Sequence, residues 1–473
     1  VPLINFSGIA SGIDTTALIK AATDASRRTQ VTPKEDRVEE LGAANTALEE
    51  YKTLVNRLRD TLLPFRTLEG GGVTKLAISS NESAILATAS NAAPASTVTV
   101  NSIVSLARSH TFSFNQNFTS SSAPLNPLID NNDPADPERT IKVEIGNPTP
   151  VETVEIEITN SLTVSEFIEE FNSQTDKARA SLVTVNNSNP PQYRIVISSL
   201  QSGTTNGFLT VTNGSSVGTL SGFTESQASK AEFYLAGIAT PINRDTNSVS
   251  DLIPGLTLEL KGTTNTLTNI TVDNDVTATE DRLRTFVEAF NDVVAFIKEN
   301  NTVTRNEDGE RVENIFAALS KTTTDDALLD SLRSTISSAE SLTGTAVNIL
   351  ADIGITTNRD GTLAFDSEDF AVAMSTEASA VSEVLSSLAD NFTATGGTID
   401  LYTRFGGLLD VSININKDQV TELNSRIASA EGQIAKQEEA LRARYARLEG
   451  IIGRMQGQQN AVSSALAQLG RGN

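Results

Sequence analysis

Both ends of this 473-residue chain carry an apolar repeat of seven. Near the N-terminus Leu41, Ala44, Leu48, Tyr51, Val55, Leu58 and Leu62 recur at alternating steps of three and four. That spacing puts them on one stripe, the a/d seam of a coiled coil. It predicts helix over 15–63, broken at Thr32-Pro33 and stopped at Leu63-Pro64, with Gly70-Gly71-Gly72 as a flexible link. Towards the C-terminus the stripe runs Val420, Leu423, Ile427, Ala430, Ile434, Gln437, Leu441, Arg444, Leu448, Ile451, Met455, Gln458, Val462, Ala465 and Leu469. No proline interrupts it, and a helix of that length is about 75 Å long. Its flaws are Gln437, Arg444 and Gln458 on the seam, and Gly432, Gly450, Gly453 and Gly457, each costing ~1 kcal/mol of helix propensity against Ala. Such a helix is expected to be mobile when free and ordered by neighbours. The bland alternative is an intramolecular hairpin of the two stripes, with no partner. The broken seam and the glycines favour packing against other subunits.

Charge separates the ends from the middle. Residues 1–66 hold nine Lys/Arg and nine Asp/Glu, and residues 417–473 hold eight and six, which leaves −25 of the net −23 on the middle. An acidic middle repels phosphate and argues against nucleic acid. No apolar run reaches the ~20 residues of a membrane span, and residues 1–8 show no general secretory signal, so membrane insertion is not expected. Cysteine is absent, which removes disulfides, thiolate nucleophiles and Cys-based zinc sites together.

Between the helical ends the rhythm changes to alternation. Strands are predicted in 84–114, at Ile141–Ile145, Val154–Ile158, Ala180–Val185, Tyr193–Ile197, Phe208–Thr212, Ala231–Leu235, Leu256–Lys261 and Asn269–Val272. A short helix is expected over Ser165–Ser173, and 120–139 read as a long loop. Helix returns with a capping-box pattern at Thr277-Ala278-Thr279-Glu280 and an apolar face of Leu283, Phe286, Val287, Phe290, Val294 and Ile297. Further helices carry Leu328, Leu332 and Ile336, then Phe370, Met374, Val381, Leu385 and Leu388. Between them Ile353–Asp366 reads as a hairpin whose structural turn is Asp360-Gly361. The fold class expected is α+β multidomain: coiled-coil-forming terminal helices and a helical body, with nested β-rich inserted domains.

Catalytic constellations do not emerge. His110 is the single histidine, so no triad or multi-His metal site can be built on it, and a structural role is expected. The acidic stretches Asp130–Asp136, Asp273-Asn274-Asp275 and Asn306–Glu310 lack the EF-hand offsets and read as turns. No phosphate-binding glycine loop follows a strand. The expectation is a non-enzyme without cofactor or metal.

The stretch Phe6-Ser7-Gly8-Ile9-Ala10-Ser11-Gly12-Ile13-Asp14-Thr15-Thr16-Ala17-Leu18-Ile19 resembles the N-terminal signature of flagellar filament cap proteins, the hook-associated protein 2 family. Gly8-Ile9-Ala10-Ser11 stands where Gly-Leu-Gly-Ser is common. Ala236-Gly237-Ile238 through Asn247, Val249 and Ile253-Pro254-Gly255-Leu256-Thr257-Leu258 is similar to the family's β segment. Phe286–Asn291 is similar to its next helix, and Ile353-Gly354-Ile355 through Asp360-Gly361-Thr362-Leu363 to its hairpin. Leu162–Asn172 resembles an insert of flagellar axial proteins.

The resemblance implies a terminal helical leg (1–42 and 417–473), a helical body with the hairpin (43–68 and 278–416), a β-rich domain (69–112 and 220–277) and a second β-rich insert (113–219). It implies a homo-oligomeric ring at the tip of the bacterial flagellum that guides exported flagellin and prevents its loss. Export by the flagellar type III apparatus, a cytoplasmic chaperone on the C-terminal helix and contact with the hook–filament junction protein go with it. The residues expected on the oligomer and flagellin seam are Leu41, Leu48, Val55, Leu62, Val420, Leu423, Ile427, Ile434, Leu441, Leu448, Met455, Val462 and Leu469. The rival readings are a hook–filament junction or filament subunit, and a tip adhesin for host glycans.

Overall fold

The long N-terminal helix breaks where proline must break it. In the computed structural model, which describes residues 14–125, 140–186, 190–213, 222–308 and 311–469, helix α1 (Thr15–Gln30) is followed by α2 (Thr32–Leu62). Pro33 sits in the first turn of α2, where its missing N–H costs nothing. Asp14 caps α1, accepting from the Ala17 amide at 2.9 Å. Residues 6–13 of the signature stretch lie outside the described residues.

Strands β1 (Lys75–Ser79), β2 (Ile85–Ala89), β3 (Ser96–Ser105), β4 (Ser109–Phe114), β5 (Thr140–Ile145) and β6 (Glu152–Glu157) lead to helix α3 (Val164–Gln174). After it come β7 (Ala178–Asn186), β8 (Gln192–Ser202), β9 (Leu209–Asn213), β10 (Phe223–Ser226), β11 (Ala231–Leu235) and β12 (Ile242–Arg244). Strands β13 (Ser248–Ile253), β14 (Leu256–Leu260) and β15 (Thr268–Asn274) precede α4 (Val276–Asn300). Next are β16 (Val303–Asp308), β17 (Arg311–Phe316), α5 (Thr324–Ser337), β18 (Ile355–Thr357) and β19 (Leu363–Phe365). Helices α6 (Ser367–Thr393), α7 (Thr398–Thr403) and α8 (Leu408–Leu469) complete the order. Strands dominate residues 75–274 and helices dominate both flanks, an α+β arrangement. Residues up to Thr67 join those from Glu280 onward in one unit, and Leu68–Thr279 form the other.

Among the described residues the β unit holds two cores. In the first, a five-stranded sheet (β1-β15-β3-β11-β12) and a three-stranded one (β13-β14-β2) bury Ile85, Val100, Ile103, Phe233, Val249, Leu258 and Ile270. In the second, β10-β4-β8-β7 and β6-β5-β9 enclose Phe112, Phe114, Ile141, Val143, Ile195 and Ile197. Helix α3 adds Phe167 and Phe171, one turn apart on its buried face. Its capping box is complete: Thr163 and Glu166 exchange bonds of 2.9 and 3.3 Å. The border expected at 112/113 falls inside β4, and β10, expected in the first domain, pairs with β4 from Phe223↔Phe114 to Ser226↔Thr111. Both strands give their phenylalanines to the second core. Strand β1 pairs antiparallel with β15, from Lys75↔Asn274 to Ser79↔Ile270.

Helix α4 starts earlier than the capping-box pattern suggested. Asp275 is the cap, accepting from the Ala278 amide at 2.8 Å. The Thr279 hydroxyl donates back to the Asp275 carbonyl at 2.7 Å and accepts from the Thr74 amide at 3.1 Å. Residues Asn306–Asp308, expected in a turn, lie in β16, which pairs with β17 from Val303↔Phe316 to Asp308↔Arg311.

His110, on β4, is 1% exposed and stacks on Phe112 at 4.5 Å. Its Nδ1 accepts from the Leu209 amide at 3.1 Å, so that nitrogen carries no proton. Nε2 faces the Glu225 carboxylate at 3.4 Å. Burial holds the imidazole below its ordinary pKa, against the pull of Glu225. The unfolded chain takes up a proton near ~6.5 while the folded ring refuses it, so stability is present above that pH and lost below it. The melting temperature of the β unit is therefore expected to fall between pH 7 and pH 5.5, and His110→Phe to flatten that slope. An equally steep profile in the variant would assign the effect to other groups.

In the helical unit the β18–β19 turn holds Gly361 at φ +85°. Asp360 accepts from the Thr362 amide at 3.1 Å and its hydroxyl at 2.6 Å, and meets Lys298 at 3.0 Å. A Cβ on Gly361 would run into the Arg333 guanidinium. Gly361→Val is expected to cost about 1–2 kcal/mol, with Gly361→Asn much milder because Asn tolerates left-handed backbone. Thermal melts of the two variants check this, and equal melts would refute it.

A second local device sits in α6, whose backbone departs from helix at Glu377 (φ −142°, ψ 60°). Its carboxylate accepts from the amides of Thr345, Ala346 and Val347 at 3.0, 3.1 and 3.1 Å. The Thr345 hydroxyl and these amides hold its pKa down to about 2. The anchorage, present above the unfolded carboxylate value, is lost only as pH falls through about 2. Glu377→Ala should speed amide exchange at 345–347 at neutral pH by tenfold or so, while leaving α4 protection unchanged.

Candidate interaction surface

The N-terminal stripe is spent inside the chain. Leu41, Leu48, Val55 and Leu62, expected on an intermolecular seam, are buried, as are Ala44, Tyr51 and Leu58. Helices α6, α7 and α8 close over this face of α2, so Leu48, Val55 and Leu62 are not free for another subunit, and Leu41 keeps only 4% of its surface exposed. Tyr51 donates from its hydroxyl to the Asp325 carbonyl at 3.3 Å, and burial raises its pKa. Asp325 itself is buried at the start of α5, with its carboxyl pushed up by desolvation and bonded by the Thr322 hydroxyl.

Helix α8 is 62 residues long, about 93 Å, and continuous through its glycines. Leu409 and Ile413 face the body and are buried. Antiparallel to α2, the helix is tied by Lys52–Asp410 at 2.5 Å, Asn45–Asn416 at 2.9 Å and Lys417–Glu49 at 3.5 Å. Farther on it meets α1, where Arg27 bonds Glu431 at 2.8 Å and Glu35 at 2.7 Å. Along this stretch Val420, Leu423, Ile427, Ile434 and Leu441 are half-buried. Twelve residues separate Arg27 from Thr15, so the described part of α1 ends opposite residue ~443. Beyond that point no described residue covers the stripe. Leu448 is 44% exposed, Met455 63% and Val462 58%, with Ile451 and Leu466 beside them. The Leu469 side chain lies outside the described ones.

The structure adds two features absent from the expectations. Leu401, Phe405, Leu408, Val411 and Ile415 form a second exposed apolar run, with Phe405 wholly in solvent. Its signal was in the sequence: Leu408, Val411 and Ile415 step by three and four beside Leu409 and Ile413. A helix apolar on two faces needs two covers. The other feature is a trough of about 690 Å³ beside α2. Leu41, Ala44 and Phe316 lie along it, with Asp36, Glu39 and Glu40 on its lip. Lys321 sits 4.5 Å over the Phe316 ring and 2.6 Å from Glu40, which also meets Arg37 at 2.7 Å. These two cations hold the Glu40 carboxyl below its usual range.

Among the described residues no group of three or more His, Cys, Asp or Glu could hold a metal ion. Of the acidic stretches, Asp130–Asp136 lies outside the described residues, and Asp275 is occupied as a helix cap. No described helix is long and apolar enough to cross a membrane.

Comparison with known proteins gives this geometry a family. A family model described as Flagellar hook-associated protein 2 N-terminus matches residues 11–110, and one described as Flagellar hook-associated protein 2 C-terminus matches residues 228–457. An A-type flagellar hook-associated protein 2 from Pseudomonas aeruginosa is 26% identical over 245 residues, covering 51% of this chain and 50% of that protein. A B-type flagellar hook-associated protein 2 from the same species is 27% identical over 249 residues, 52% of this chain and 51% of that protein. The chain thus spans about half the length of the curated relatives it matches. The crystal structure of the D1–D2–D3 domains of the flagellar cap protein FliD from Escherichia coli superposes with a TM-score of 0.56. That match covers 80% of this chain and 99% of that one at 20% identity, a likeness of fold. The two family models together take in well over half of the sequence, and the chain belongs to the flagellar hook-associated protein 2 family.

Proposed function

We propose that this chain caps the distal end of a bacterial flagellar filament, as a non-enzymatic homo-oligomer that guides exported flagellin into place and prevents its loss. The observation that carries the reading is the bare distal stripe of α8. Five apolar side chains from Leu448 to Leu466 stand in solvent on a helix that the described residues cover only in its first half. A stripe of that kind is a seam waiting for other helices. Membership of the family supports the tip of the filament as the place where those helices are met. Flagellin, the hook–filament junction protein and further copies of this chain are the partners proposed there. A cytoplasmic chaperone on the distal α8 before export fits the same bare stripe, and export runs through the flagellar type III apparatus. The rival readings, a junction or filament subunit and a glycan-binding adhesin, draw no support from the matched relatives.

The test separates folding from capping. Removing residues 446–473 takes away the bare stripe and none of the ion pairs that tie α8 to α1 and α2. Circular dichroism and melting should show the β and helical units intact. In a bacterium that lacks its own cap gene, the full chain should restore filaments, and the shortened chain should release flagellin into the medium. Replacing Leu448, Ile451, Met455 and Val462 with Asp should do the same at full length. Filaments of normal length with either variant would sink the reading.

A further inference from the structure

The helical unit and the distal part of α8 carry opposite charge. Residues 280–416 hold nine Lys/Arg and 23 Asp/Glu, whereas residues 442–469 hold four arginines and one glutamate. Arg442 pairs with Glu438 one turn back at 2.6 Å, but Arg444 and Arg447 make no ion pair among the described residues. At 100° per residue Arg447 and Arg454 fall on the same flank of the stripe made by Leu448, Ile451 and Met455. The complement of such a helix is an apolar trough with an acidic lip.

The trough beside α2 has that character. Phe316, Ala43, Ala317 and Ala318 supply open apolar surface beside the buried Leu41 and Ala44. Of the charged groups there, Arg37 and Lys321 are both engaged by Glu40, which leaves Asp36 and Glu39 with no ion pair among the described residues. The chain's own distal α8 cannot fill it. Asn416 already lines the trough, and Leu448 lies 32 residues farther along a continuous helix, about 48 Å away. The occupant with the right chemistry is therefore the same helix from another molecule.

We propose that the trough of one copy receives the distal α8 of a second copy, with the Leu448–Met455 stripe on its floor and Arg447 and Arg454 toward Asp36 and Glu39. This deepens the homo-oligomer reading above and rests on it. The two surfaces belong to different parts of the chain, so the contact is head-to-tail. Repeated contacts of that type close into a ring when the rotation permits. Opposite charge across the contact sets orientation and speeds encounter, and salt weakens it.

The chain has no cysteine, so single cysteines report contacts cleanly. Full-length Ala43→Cys, on the trough, is mixed with full-length Met455→Cys, on the stripe, and oxidised. The mixed pair should form a disulfide-linked heterodimer at least fivefold above a control pair using Glu50→Cys. Arg447→Glu with Arg454→Glu on the Met455→Cys chain should abolish that excess. Asp36→Arg with Glu39→Arg on the partner chain should restore it. Sedimentation velocity of the unsubstituted chain runs alongside. Oligomers that sediment normally while the mixed pair links no better than the control overturn this docking and leave the homo-oligomer reading standing. A chain that sediments only as monomer at every concentration overturns both.

Discussion

The antiparallel pairing of α2 with the start of α8 joins segments that lie 358 residues apart at the Lys52–Asp410 contact. Along it α2 buries Leu48, Val55, Leu58 and Leu62 and α8 buries Leu409 and Ile413, while α5, α6 and α7 pack around the pair. Such a distant pairing tolerates a long excursion between its halves, because loop-closure entropy grows only by about 0.6 kcal/mol for each doubling of length. The whole β unit can therefore sit within the sequence of the helical one. The partly buried ion pair Lys52–Asp410 adds direction more than strength, since it selects the antiparallel register in which Asn45 meets Asn416 and Glu49 meets Lys417.

That register also decides what remains available. The heptad stripe of α8 is one continuous pattern in the sequence, but its cover changes along its length. α2 covers the first stretch, α1 the next, and no described residue the last. One periodic signal thus serves intramolecular stability at one end and is left open to solvent at the other. The change in charge follows the same division: the covered stretch 417–441 has more acids than bases, and the bare stretch is basic. In the association proposed above, charge supplies a selectivity among partners that leucine and isoleucine cannot.

Much of this was legible from residues alone. The stripe from Leu41 to Leu62, the break at Pro33, the α3 helix and the Asp360-Gly361 turn all rest on local signals: period, capping and backbone freedom. What the stripe packs against is not local, which is why Leu41, Leu48, Val55 and Leu62 read as an intermolecular seam while the fold uses them internally. Strand β12 (Ile242–Arg244) is too short for alternation to register, and β10 contributes a single apolar residue, Phe223, to the second core. Thr277-Ala278-Thr279-Glu280 looked like a cap because the pattern is correct, but Asp275 two residues earlier outcompetes it once Thr279 is engaged by the Thr74 amide. The trough beside α2 is assembled from residues as far apart as Asp36 and Phe316, and no run of sequence announces it.

The way the β unit is threaded has a consequence for how such chains change over time. Its first and last strands, β1 and β15, are antiparallel neighbours, and within it β4 and β10, which bracket the second core, are neighbours too. Each layer of the insertion therefore departs and returns at almost the same point. Lengthening, shortening or exchanging an inner layer leaves the spacing of the outer layer's ends untouched. The exposed surface can thus be altered module by module while the helical register stays fixed.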